Sequence, residues 1–285
     1  MILALKQILH QMADSKWRVK MTTENQLGNS CPIECFYCYL FLYVISGDVK
    51  TIFFFFLAVS PEPIAHYPLN ARYKAAEKEN RQPKGILGNV ALTNGPYNEP
   101  GGAYMFYGTV SSYIEFANEG GLDTRFSITL TCWVQPGGQD GPIFSYGVSG
   151  YTVNIKIEDG KFFNRIVKRS FQTLTPITTA EVLPAGKWVH VAASYDHKSG
   201  NNSLYINGHL RASQNIGTDY QIATTTQEVR MGIKEGNSYF KGKIAEMKVY
   251  NFALTEAQIQ TSIRQGSWPD CLVLFPKLLS PEPFW

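Results

Sequence analysis

The nine residues Phe126–Val134 alternate with a period of two. Phe126, Ile128, Leu130, Cys132 and Val134 fall on one side, and Ser127, Thr129, Thr131 and Trp133 on the other. Successive side chains of a β-strand point to opposite faces, so the pattern marks a strand with one core face. Trp133 on the second face implies that this face is also partly covered, or that it meets a ligand. Such a strand needs partners, and the chain supplies them. Ser111–Phe116 carries Tyr113, Ile114 and Phe116. A second long strand, Trp188–Tyr195, ends at the polar turn that starts at Asp196. Ser203–Ile206, Asn207-Gly208 and His209–Ala212 predict a hairpin, because Asn-Gly tolerates the positive φ angles of a type I′ turn. Glu228–Ile233 and Lys243–Tyr250 read as further strands.

One helix is expected. Thr255 and Gln258 fit a capping box, with Ile259 and Ile263 on one face behind it. A dozen or so short strands over about 200 residues cannot stay one open sheet. The expected class is all-β, a two-sheet antiparallel sandwich with one short C-terminal helix. At 44% hydrophobic and 17% charged residues the chain is no disordered protein, and a net charge of +3 excludes a nucleic-acid binder.

The first sixty residues differ from the rest. Residues 2, 5, 8, 9 and 12 suggest a short amphipathic helix within Met1–Met12. Residues 36–59 are apolar and long enough to span a bilayer, with Asp48 and Lys50 at the centre. Each charge costs about 2.5–3.5 kcal/mol, and the Leu, Ile, Phe and Val residues return about 0.3–0.6 kcal/mol each, so the sum is near zero. Three readings stay open for 1–60: a membrane anchor, a late signal sequence, or sequence that is not native coding sequence. Cys31, Cys35 and Cys38 lie here without a fourth ligand in zinc spacing, and read as incidental. Cys132, inside a strand, is expected to be a buried small apolar residue.

The order of several segments carries a resemblance. Ile64–Leu69 precedes Tyr104–Phe106 and the Tyr113-Ile114 strand. Phe126–Pro136, Gly186–Asp196, Leu204–Gly208 and Tyr239–Thr255 follow in turn. This series resembles the laminin-G-like jelly roll of the concanavalin A-like lectin/glucanase superfamily, close to its pentraxin-like branch, over roughly Ile64 to Arg264. The resemblance implies an extracellular or cell-surface recognition module, often with calcium. Two positions depart from it. Asn207 stands where the family usually has Asp, and Ala245 where it usually has an acidic residue, with Glu246 next. Both changes remove carboxylates that calcium would use. Asp123, Asp196 and Asn207 remain as metal candidates, set against ordinary turn caps.

The same superfamily contains glycoside hydrolases, which need two carboxylates close together. The resemblance implies Glu-x-Asp-x-x-Glu on one strand for these, and no such pattern occurs. No nucleophile elbow or phosphate-binding glycine motif occurs either. No catalytic residue is therefore assigned, and His190 reads as a packed, hydrogen-bonded histidine. Sugars stack on exposed rings carried by loops, which makes Tyr146, Tyr151, Tyr220 and Tyr239 ligand candidates, each set against a partly buried strand-end tyrosine. Asn201-Asn202-Ser203 is a glycosylation sequon at Asn201.

The expected organisation is an undefined segment over 1–60, a sandwich over 61–266 and a tail over 267–285. The tail repeats Ser60–Pro63 as Ser280–Pro283, which suggests the start of a further repeat. The expected function is non-catalytic binding of glycans or of matrix and cell-surface proteins. The alternatives are a glycoside hydrolase and an adhesion receptor anchored in a membrane through 36–59.

Overall fold

The computed structural model describes residues 36–41, 53–58, 61–147, 152–224, 228–234 and 238–265, the first two stretches as backbone only. Met1–Met12, Cys31, Cys35, Tyr151 and the tail from residue 266, with Ser280–Pro283, lie outside the described residues.

Strand β1 (Phe36–Phe41) pairs antiparallel with β2 (Phe53–Ala58). The apolar stretch 36–59 thus contains two strands and not the continuous helix a helical anchor needs. Its phenylalanines favour strand. No helix among the described residues is long and apolar enough to cross a membrane.

The strands that follow are β3 (Ala65–Tyr67), β4 (Ile86–Leu87), β5 (Val90–Thr93), β6 (Ala103–Tyr107), β7 (Ile114–Phe116) and β8 (Ile128–Gln139). Next come β9 (Gly141–Tyr146), β10 (Asn154–Glu158), β11 (Lys161–Arg165), β12 (Ile177–Val182), β13 (Val189–Tyr195), β14 (Asn201–Ile206) and β15 (His209–Asn215). The last are β16 (Val229–Met231), β17 (Ile233–Lys234), β18 (Ser238–Tyr239) and β19 (Lys241–Tyr250), before helix α1 (Glu256–Gln265). They form a seven-stranded sheet, β12-β11-β10-β9-β16-β7-β4, and an eight-stranded sheet, β15-β14-β13-β8-β19-β6-β5 with β3 on β19, while β17 and β18 pair with each other. The pairings are antiparallel throughout, as the alternation predicts.

One apolar core lies between the sheets. Leu130 and Val134 of β8 meet Phe144 of β9, Ile155 of β10 and Phe162 of β11 in it. Ile128, Leu130, Cys132 and Val134 are all buried, as their parity requires. Phe126 is not: it is 42% exposed, because the strand starts only at Ile128. Its ring instead lies 5.1 Å from His197, with the Arg125 guanidinium 5.6 Å from its centroid.

The second face of β8 is covered as Trp133 implied. Trp133 packs edge-on against Tyr97 and His190, at 5.7 and 5.4 Å. Helix α1 sets Ile259 on the same sheet, against Ala192, Tyr205 and Tyr250. Its start is the expected capping box: the Gln258 amide donates to Thr255 Oγ1 (3.4 Å), and the Thr255 amide to Gln258 Oε1 (2.9 Å).

Candidate functional site

The outward row of the seven-stranded sheet is the most unusual polar surface of the described residues. In register, Arg165 of β11 lies opposite Asn154 of β10, and Asn154 opposite Ser145 of β9. Ser145 in turn faces Arg230 of β16, which faces Glu115 of β7. Their neighbours Phe144, Ile155, Phe162, Val229 and Ile114 point inward, so parity sends the whole row outward. Strands lie about 4.8 Å apart, so Arg165 and Arg230 stand about 14 Å apart across three spacings.

The middle of this row is buried and unsatisfied. Ser145 is 0% and Asn154 1% exposed, yet Ser145 Oγ and Asn154 Oδ1 have no hydrogen-bond partner. Leaving such an atom unpaired costs about 1–3 kcal/mol, and structures normally relieve it with ordered water or a ligand. Asn154 is oriented by its amide, which donates to Thr152 Oγ1 (3.3 Å). Arg230 is held by Glu115, Nε to Oε2 at 2.5 Å, and lies over the Tyr113 ring at 5.6 Å. Phe163 is flanked by Lys156 Nζ and the Arg165 guanidinium, 4.3 and 5.3 Å from its ring centroid. Two neutral hydrogen-bonding groups between two guanidinium groups suit a polyhydroxylated ligand laid across the strands.

Sequence reasoning did not assign these strands. Part of the signal was there: Asn154–Glu158 alternates, and Asp159-Gly160 after it is a hairpin dipeptide, its two residues at positive φ of 51° and 70°.

The expected site residues fall elsewhere. Tyr146 points into the core between the sheets, and its hydroxyl donates to the Leu122 carbonyl (3.0 Å), so its ring lies on the opposite face of β9 from the outward row. Tyr220 is half-buried, with Lys168 Nζ 3.7 Å from its ring centroid. Tyr239 is half-buried in β18, and its carbonyl accepts a bond from Gln139 Nε2 (2.7 Å). Asn201 is exposed at the start of β14, where its Oδ1 accepts from Asn215 Nδ2 (3.3 Å).

Asp123, Asp196 and Tyr220 belong to loops gathered at one end of the sandwich. The His197 amide donates to Ser127 Oγ (3.0 Å), the Asp219 amide to the His197 carbonyl (3.2 Å) and the Arg169 amide to the Gln221 carbonyl (2.6 Å). Asn207 is remote from them. Asp196 lies opposite Asn201, so Asn207 stands six residues along β14, about 20 Å away.

These three do not fit calcium. An Arg169 nitrogen lies 2.6 Å from both Asp123 oxygens, where a cation would sit, and Thr224 Oγ1 donates to Oδ1 (2.8 Å). Asp196 accepts the Lys198 and Ser199 amides, which with burial working against them leave its pKa lowered. Asn207 accepts the His190 amide (3.0 Å). Among the described residues no three His, Cys, Asp or Glu side chains are grouped to hold a metal ion.

The family model described as concanavalin A-like lectin/glucanases superfamily matches residues 108–260, more than half of the chain. No curated protein matches. Among solved structures, the chain is similar to the binding domain of Paraclostridial Mosquitocidal Protein 1, at TM-score 0.58 and 14% identity, over 72% of this chain and 52% of that one. The botulinum neurotoxin serotype G binding domain gives the same values. The chain therefore spans about half the length of these two structures. Domain 4 of AbnA, a GH43 extracellular arabinanase from Geobacillus stearothermophilus, solved with arabinotriose, is similar at TM-score 0.56 and 20% identity, over 70% of this chain and 98% of that one.

Proposed function

The chain belongs to the concanavalin A-like lectin/glucanases superfamily, and from that premise we propose that it is a non-catalytic, extracellular recognition module that binds a glycan across its seven-stranded sheet. The observation that carries this reading is the outward row Arg165, Asn154, Ser145 and Arg230, polar at every position and in register across four strands, with a partly exposed guanidinium group on either side of the two buried side chains. Sugar hydroxyls both donate and accept, so one ligand laid over the row can accept from both guanidinium groups. Binding domains among the similar structures support a binding role, and the exposed sequon at Asn201 suits a secreted protein.

The carboxylates of this face support binding over hydrolysis. Glu115 and Glu228 both pair with Arg230, and Glu158 pairs with Lys156, so each of these carboxylates is already committed to a cation. Three strand spacings, about 14 Å, separate Glu115 of β7 from Glu158 of β10. Retaining and inverting glycosidases hold their carboxyl groups about 5–5.5 and 6.5–9.5 Å apart. The test is a glycan array probed with the whole chain, with and without chelator, with arabinotriose as a first soluble probe. The reading expects chelator-insensitive binding and no new reducing ends after prolonged incubation. Release of reducing ends would move the assignment to a hydrolase, and a protein ligand is the remaining outcome if no glycan binds.

A further inference from the structure

The eight-stranded sheet carries a groove of its own. Met105 of β6, Lys243 of β19 and Gln135 of β8 are successive register partners and share one outward row. One cavity of about 510 Å³ over this row is lined by Asn94, Asn98, Gln135, Trp188 and Lys243. An adjoining cavity of about 420 Å³ shares Gln135 and Lys243 and continues over Met105 and Gly242. Each falls in the usual range of ligand sites. Gly242 beside Lys243 admits no side chain: at φ 148°, a Cβ there would come 2.3 Å from the Gln135 carbonyl oxygen.

The polar groups here are oriented but not saturated. Asn94 and Asn98 line the cavity, and Asn94 Nδ2 donates to Asn98 Oδ1 (3.1 Å), which uses one donor and one acceptor of the two amides. Gln135 Nε2 donates to the Gly186 carbonyl (3.0 Å), which leaves its Oε1. Lys243 makes no ion pair among the described residues. Trp188 is half-buried at the wall. An indole plane, three amides and one unpaired ammonium match a sugar ring that bears a carboxylate. A peptide fits less well, because β6, β8 and β19 each have a strand on both sides and offer no free backbone edge.

We propose that this groove is a second binding site, independent of the seven-stranded face, for a short oligosaccharide with a uronic-acid unit whose carboxylate meets Lys243. The probes are trigalacturonate, triguluronate and a hyaluronan tetrasaccharide, titrated into the whole chain by calorimetry, with trigalacturonate methyl ester as the uncharged control. At least one acid should bind, and the methyl ester should bind trigalacturonate's site about tenfold or more weakly, the loss of one charge-assisted hydrogen bond. Lys243→Gln should bring acid and ester to equal affinity without changing the melting temperature, and Trp188→Ala should remove binding to both. The proposal is overturned if no uronide binds, if Lys243→Gln leaves affinity unchanged, or if hexaglutamate binds as tightly as the sugars.

Discussion

His190 of β13 is 4% exposed, edge-on to Trp133, and burial together with the nearby Lys248 charge lowers its pKa to about 3. The ring is packed as its alternation with Trp188 predicts, but its Nδ1 has no hydrogen-bond partner. His66 is also shifted down: burial outweighs the pull of Glu246, 2.7 Å from its Nε2, and Lys248 and Lys78 act with burial. Both rings therefore take up a proton less readily in the fold than in the unfolded chain, where they titrate near 6.5. The unfolded chain therefore binds more protons below pH 6.5, and stability falls as pH drops toward the folded values. Glu77 and Glu246 have lowered pKa values and add their own loss at lower pH, so the range from 6.5 to 5 reports the histidines. His190→Phe should remove on the order of 2 kcal/mol of the loss between pH 6.5 and 5, read from urea midpoints. An unchanged pH slope would show that His190 is charged or exposed. At this scale the sequence separates faces well and depth poorly. Tyr146 has the parity of Phe144 and so points inward, but its place beside a turn looks the same for a core ring and a surface ring.

Turn chemistry explains which elements were legible. Asn207 and Gly208 have φ of 51° and 81°, the type I′ geometry expected of Asn-Gly, and β14 and β15 pair on either side. Gly208→Ala would force a Cβ at positive φ to within 2.8 Å of Gln260 Cγ. It should cost about 1 kcal/mol or more, seen as a lower melting temperature with binding at either face retained. Thr255→Ala removes the hydroxyl that accepts the Gln258 amide, and should cost about 1 kcal/mol by the same measure. Other features depend on neighbours distant in sequence. β19 shifts register between Ala245 and Lys248, with Glu246 at φ 53° aimed at His66 of β3. That bulge follows from pairing with β8 and β3 at once, and nothing local to Lys241–Tyr250 announces it.

At the scale of the sandwich, its two large sheets enclose one core, and each has an outer face of its own. The sandwich was readable because alternation and turns are local. The site was not, because its row joins β11, β10, β9 and β16, and Arg230 lies 65 residues after Arg165 in the chain. Ser145 and Asn154 look like ordinary surface polar residues until their strands are neighbours. On the proposed reading stability and recognition are linked there, because a buried polar atom without a protein partner destabilises the free protein. Ser145→Ala is therefore the most direct test, with melting temperature and affinity for the glycan identified on the array measured on the same samples. The account predicts an equal or higher melting temperature and an affinity about tenfold lower. A lower melting temperature with unchanged affinity would contradict it, because Ser145 would then serve the fold and not the ligand.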